Sequence, residues 1–253
     1  MIGIYFSGTG NTKYCLEEFI RQSSNNGEIF SIESGNAVSE IEKHKDIILA
    51  YPIYYSNLPK IVKEFITSNY KIWKDKNVFI IATMGLFSGD GTGLSARLLK
   101  KYGANVIGGL HLKMPDCICD VKTLKRPFEE NKKIVVEARK KIKSSAEKFK
   151  DGTPTQEGIN VFYHMAGLFG QRLWFFNKTK EYSNKLKINL DACVGCGKCQ
   201  SVCPMKNIII DNGKATSKNS CTMCYRCINE CPNKAITLLG NKIIVQQHVK
   251  DYL

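Results

Sequence analysis

Five short runs of apolar residues punctuate the first 112 positions: Ile2 to Phe6, Glu28 to Ile32, Asp46 to Pro52, Asn77 to Thr83 and Asn105 to Leu112. They are rich in Ile and Val and apolar at consecutive rather than alternate positions, so both faces must be covered, as in a parallel sheet flanked by helices. Between them, Lys13 to Gln22, Lys60 to Thr67 and Leu94 to Tyr102 repeat apolar residues at helical spacing, with Leu16, Phe19 and Ile20 on the core face of the first. A Lys-rich helical pattern over 125–150 closes the series. The pattern predicts a doubly wound α/β domain of five parallel strands over residues 1–150, with its ligand beyond the strand C-termini.

Asp151-Gly152-Thr153-Pro154-Thr155 breaks the last helix and opens a helical linker over 151–183. Ile159, Phe162, Tyr163, Ala166, Phe169 and Leu173 recur at three and four, and Met165, Leu168, Trp174 and Phe175 fall on other faces. A helix apolar nearly all round is buried between domains or against a partner, so 158–177 is also an oligomer contact candidate.

Composition narrows the function classes. The chain of 253 residues is 43% hydrophobic and 24% charged, which excludes a wholly disordered protein. Eight of its 11 Cys fall between 193 and 231, which points to metal rather than to a disulfide scaffold. No apolar stretch reaches the roughly 18 residues of a membrane span, and Met1 to Phe6 lacks a basic leader region, so a cytoplasmic protein is expected. The net charge of +14 is uneven, with +9 carried by residues 121–190. That fits a solvated Lys-rich helix face or an acidic partner protein; nucleic acid is disfavoured because the basic residues lack interleaved stacking aromatics.

Candidate chemistry begins after the first strand, where Ser7-Gly8-Thr9-Gly10-Asn11-Thr12 opens a helix. Glycines let backbone N–H groups converge, hydroxyls add donors and the helix N-terminus adds positive potential, which together cradle a phosphate. Neither a Gly-Lys-Ser/Thr nor a Gly-x-Gly-x-x-Gly is present, so this is not a triphosphate or dinucleotide loop. The segment resembles the flavodoxin signature Ser/Thr-x-Thr-Gly-x-Thr. The resemblance implies that Ser7, Thr9, Gly10, Asn11 and Thr12 hold the phosphate of FMN. It also implies that the loops after the third and fourth strands, Pro52, Ile53, Tyr54, Tyr55, Ser56 and Asn57, and Thr83, Met84, Gly85, Phe87, Ser88 and Gly89, flank the flavin ring. Tyr54, Tyr55 or Phe87 is then the stacking residue. Many flavodoxins carry a glycine in the third-strand loop where Tyr55-Ser56-Asn57 stands here; a non-glycine forced to positive φ costs on the order of 1–2 kcal/mol, which disfavours the one-electron-reduced flavin.

Cys193-x2-Cys196-x2-Cys199-x3-Cys203-Pro204 is followed by Cys221-x2-Cys224-x2-Cys227-x3-Cys231-Pro232, a duplication over 184–253. Three thiolates two residues apart wrap one cubane face, and the fourth is carried away to the other cluster. This assigns Cys193, Cys196, Cys199 and Cys231 to one 4Fe-4S cluster, and Cys203, Cys221, Cys224 and Cys227 to the second. Zinc prefers isolated Cys-x2-Cys pairs. The repeat resembles the bacterial two-cluster ferredoxin, a small α+β domain. Cys117 and Cys119, just past the fifth strand, read as incidental thiols, with a redox or substrate-gating role as the lesser alternative, and Cys15 reads as a small buried hydrophobe.

The order of these parts resembles the flavodoxin–ferredoxin fusions called EFR-type ferredoxins. That resemblance implies FMN and two 4Fe-4S clusters in one chain, moving low-potential electrons between redox partner proteins in an anaerobe's cytoplasm. With the cofactors bound the net charge falls only to roughly +8, so an acidic redox partner is expected. The alternative is an FMN-dependent reductase that delivers hydride to a small organic acceptor, with the clusters as its wire. No general acid is evident in the sequence for that second chemistry.

Overall fold

The computed structural model describes residues 1–24, 27–86, 90–160 and 177–253. All five predicted strands form: β1 (Ile2–Tyr5), β2 (Ile29–Ser31), β3 (Asp46–Pro52), β4 (Asn77–Met84) and β5 (Asn105–Lys113). They pair in parallel in the order β2-β1-β3-β4-β5, the doubly wound order expected for the first domain.

Side-chain alternation splits the core into two layers. Ile47, Leu49 and Tyr51 of β3 pack with Val62, Ile66 and Trp73 on one face. Ile48 and Ala50 pack on the other with Leu16, Phe19, Val135 and Ile142. Helices α1 (Asn11–Ser23) and α5 (Phe128–Lys150) cover the second face. On the first lie α2 (Ala37–Lys43), α3 (Lys60–Ser68) and α4 (Gly91–Lys101). Of these only α2 is absent from the sequence reading: two turns long, it buries just Ala37 and Ile41, too few positions to establish a period. α5 buries one stripe, Asn131, Val135, Ala138, Ile142 and Ala146, and turns its lysines outward, the solvated-face reading of the basic middle.

The first domain's pairing continues past residue 150. Gly109 exchanges backbone hydrogen bonds with Thr155 and Glu157, so residues 155–157 cover the open edge of β5. The apolar helix expected over 158–177 lies outside the described residues except at its two ends.

The C-terminal part is built from small antiparallel pairs: β6 (Lys187–Ile188) with β9 (Ile236–Thr237), and β7 (Ile208–Asp211) with β8 (Lys214–Ser217). Short helices at Lys198–Ser201 and Arg226–Glu230 follow the paired cysteine loops. Residues 244–252 then run back along the first domain. Ile244 N–H donates to Cys119 O at 2.8 Å and Val249 N–H to Thr9 O at 3.2 Å, and the Asn131 side chain of α5 donates to the Tyr252 hydroxyl at 3.1 Å.

His111 of β5 is packed beside this edge, its Nε2 3.2 Å from both the backbone N and the Oγ1 of Thr92, while its own backbone N–H donates to Glu157. Burial pushes its pKa down from 6.5 to about 4 against the opposing pull of Glu157. The unfolded chain therefore binds the proton first as pH falls, and stability that is full above about pH 6.5 is lost toward pH 4 at up to about 1.4 kcal/mol per unit. Urea midpoints of the wild type should fall more steeply with acid than those of His111→Gln; equal slopes would exclude His111 as the cause.

Candidate functional site

A cavity of about 350 Å³ opens beyond the C-terminal ends of β1, β3, β4 and β5. At one end lies the Ser7–Thr12 loop, which enters α1 through Gly10 at φ 98°. Two of its side chains lace the loop to its neighbours: Asn11 Nδ2 donates to Pro115 O at 2.7 Å, and the Thr12 and Thr83 hydroxyls are 2.7 Å apart. Ser7 Oγ is buried and has no protein partner among the described residues. A buried hydroxyl without a partner at the mouth of a helix is left for a ligand to satisfy.

Most of the sequence-predicted residues converge here. Ser7, Thr9, Asn11, Thr12, Pro52, Ile53, Tyr54, Tyr55, Ser56, Thr83, Met84 and Gly85 line the cavity. Gly10 and Asn57 stand behind the lining, and Phe87, Ser88 and Gly89 lie outside the described residues. Tyr54 and Asn57 exchange backbone hydrogen bonds of 3.2 and 2.9 Å around a two-residue turn in which Tyr55 has φ 47° and Ser56 φ 56°. The backbone strain that the sequence reading left to be met on flavin reduction is thus already built into the loop.

Other lining residues escaped the sequence. The segment after β5 supplies Met114, Pro115, Asp116, Cys117 and Ile118. Its only advance signal was its place at the C-terminal end of a parallel strand. Asp116 Oδ1 accepts the Ile118 N–H at 2.9 Å, and a methyl on Gly85 would stand 2.7 Å from Oδ2. Burial raises its pKa, opposed by that hydrogen bond and by Arg126 and Lys125. It is the cavity's one carboxyl among the described lining residues, able to hold a proton there.

Met223 and Tyr225, from the cysteine-rich half, complete the wall on either side of Cys224. The halves meet closely here: a methyl on Gly8 would collide with the Cys224 carbonyl. Arg226 forks onto Glu33 with two contacts of 2.8 Å and donates to Ser7 O at 2.6 Å. Tyr225 Oη donates to Asp120 Oδ1 at 2.9 Å. Cys117 lies between the cavity and this contact, and Cys119 is buried in the core of the cysteine-rich half. Cys15 is fully buried on α1.

The eight clustered cysteines divide between two further small cavities. Cys193, Cys196, Cys199 and Cys231 line one, and Cys203, Cys221, Cys224 and Cys227 the other. Among the described residues no group of three or more His, Cys, Asp or Glu is drawn together tightly enough to hold a single ion. Backbone N–H groups point at four sulfurs: Ala215 at Cys193 (3.4 Å), Ala235 at Cys231 (3.3 Å), Asn207 at Cys203 (3.2 Å) and Met223 at Cys221 (3.3 Å). Such donors favour the thiolate form. Burial opposes it, pushing Cys224 up to about 12.

No helix among the described residues is long and apolar enough to cross a membrane. Residues 2–107 match a family model described as a flavodoxin domain, and residues 185–239 one described as a 4Fe-4S dicluster domain. No curated protein matches the chain. Among solved structures, the two-electron reduced flavodoxin of Megasphaera elsdenii is 23% identical, covering 58% of this chain and 99% of its own, at a TM-score of 0.43. The Fusobacterium nucleatum flavodoxin bound to flavin mononucleotide is 22% identical, covering 59% and 96%, also at 0.43. Oxidised flavodoxin 2 of Bacillus cereus is 15% identical, covering 59% and 97%, at 0.44. The chain is a flavodoxin domain joined to a 4Fe-4S dicluster domain in one polypeptide.

Proposed function

We propose that the protein transfers electrons within one chain between two 4Fe-4S clusters and FMN, linking external one-electron carriers to a flavin. One observation carries this reading: a single cavity runs from the Ser7–Thr12 loop to residues flanking Cys224, and Cys224 itself lines a four-cysteine cavity. The partnerless Ser7 hydroxyl and the loop's backbone N–H groups suit the phosphate of FMN, and Tyr54, Tyr55, Met84 and Gly85 suit its ring. Bound FMN accepts or gives one or two electrons. The chain's part is to fix that ring beside one thiolate cage and to keep the other cage at the surface, where Cys196 is exposed. A protein of this net charge suits an acidic redox partner.

A second reading, an FMN-dependent reductase of a small organic acceptor, is favoured by Asp116. It is a half-buried carboxyl in the cavity wall, and a hydride acceptor must also take up a proton.

Anaerobic reconstitution should yield about eight iron atoms and one FMN per chain, and Cys221→Ser or Cys193→Ser should each bring the iron to about four. Four irons in the wild type, or none of the FMN retained, would overturn the assignment. Gly8→Ala drives the phosphate loop and the Cys224 backbone apart, so flavin reduction by a photoreduced two-cluster ferredoxin should slow by about tenfold or more with iron content unchanged. Asp116→Asn decides between the two readings. A relay keeps its electron-transfer rate in this variant, whereas a reductase loses at least about tenfold in the reduction of organic acceptors such as enoates or quinones.

A further inference from the structure

The cysteine repeats are 28 positions apart, which pairs Cys196 with Cys224, Gly195 with Met223, Gly197 with Tyr225 and Lys198 with Arg226. The backbone obeys the same repeat. Gly195 and Met223 have φ of 66° and 61°, Gly197 and Tyr225 76° and 58°, and Lys206 and Lys234 49° and 51°. At two left-handed positions, therefore, the first repeat has glycine and the second has a large side chain. A Cβ there is strained, and glycine relieves the strain.

Met223, Tyr225 and Arg226 of the second repeat all face the first domain. Met223 and Tyr225 line the cavity beyond the strand ends. Lys198 pairs with Glu230 of its own half at 3.1 Å, whereas Arg226 crosses to Glu33 and Ser7. In the first repeat a Cβ on Gly197 meets nothing within 4 Å and Val194 is 63% exposed, while Gly195 packs against the Gly213 backbone of its own half. Nine non-glycine residues among those described have positive φ, and four of them, Tyr55, Ser56, Met223 and Tyr225, line this one cavity. Strain gathered at one cavity marks side chains kept for what they touch there.

We propose that Met223 and Tyr225 are flavin-contacting residues, so that the dicluster domain supplies one wall of the FMN site. It follows that the cluster held by Cys203, Cys221, Cys224 and Cys227 exchanges electrons with the flavin, and that the cluster held by Cys193, Cys196, Cys199 and Cys231 is the outer port. Each transfer moves one electron between flavin and inner cluster, with an external one-electron carrier supplying or removing it at the outer one. The inference rests on the reading that the cavity holds FMN.

The test is FMN titration into the iron-loaded full chain, followed by quenching of flavin fluorescence, with Met223→Gly, Tyr225→Gly and their combination. A residue that served only the cluster loop would be bettered by glycine, the first repeat's own choice. A residue that walls the flavin would not. The expected result is unchanged iron content with an FMN dissociation constant raised about tenfold or more in the double variant, while Met223→Leu stays within about threefold of wild type. FMN affinity unchanged in the glycine variants would overturn the proposal, as would loss of iron together with FMN. A wild-type chain that binds no FMN would instead overturn the flavin reading, and the same titration shows this before any variant is compared.

Discussion

A buried carboxylate holds the two halves of the molecule in register. Asp120, 4% exposed, accepts the Tyr225 hydroxyl at 2.9 Å with one oxygen and the N–H groups of Leu238 and Leu239 at 2.7 and 3.1 Å with the other. A carboxylate withdrawn from water is tolerated only where such donors replace its hydration, and here they all come from the dicluster domain. The segment that carries it, Pro115 to Asp120, belongs to the first domain's strand-end loops. Separating the halves would break all three of these hydrogen bonds at once, so the contact is closer to a core than to a hinged domain interface. The position of the cysteine cages relative to the phosphate loop follows from this fixed point.

Two further contacts flank it. Arg226 carries a charge from the second cysteine repeat to the strand-end loops, and it is spent on Glu33 and the carbonyls of Ser7 and Val202 rather than on a ligand. The phosphate loop itself holds no Lys or Arg, so any phosphate there relies on hydroxyls and backbone N–H groups. The returning residues 244–252 add a third layer. Gln247 ties the Asp116 carbonyl to Asn229, and Tyr252 reaches α5. The cavity wall is thus braced from the first domain, the dicluster domain and the end of the chain together.

Much of this was legible in the sequence, for definite reasons. Parallel strands buried on both faces announce themselves as unbroken apolar runs, and all five were found within a residue or two. The cysteine spacing fixes chemistry because few arrangements of thiolates share it. What the sequence hid was contact between distant segments. Met223 and Tyr225 sit inside a motif whose cysteines draw all the attention, and nothing local says that their side chains turn toward a cavity more than 100 residues away in the chain. Asp116 and Asp120 carry no signal of their own in the sequence, and Cys117 and Cys119 read as incidental thiols, because burial at a domain junction has no period. The turn at Tyr55 and Ser56 was read as resisting positive φ, yet the hydrogen bonds between Tyr54 and Asn57 hold both residues there.

The two repeats share their cysteine frame and differ in the residues between the cysteines. Each four-cysteine cavity needs its sulfurs placed and a few N–H groups aimed at them, and both repeats keep those features at equivalent positions, as the bonds to Cys203 and Cys231 from residues four places on illustrate. The intervening residues are then free to diverge. In the first repeat Gly197 stands open beside the exposed Cys196. In the second the intervening residues are large enough to close a cavity whose other walls belong to a different domain.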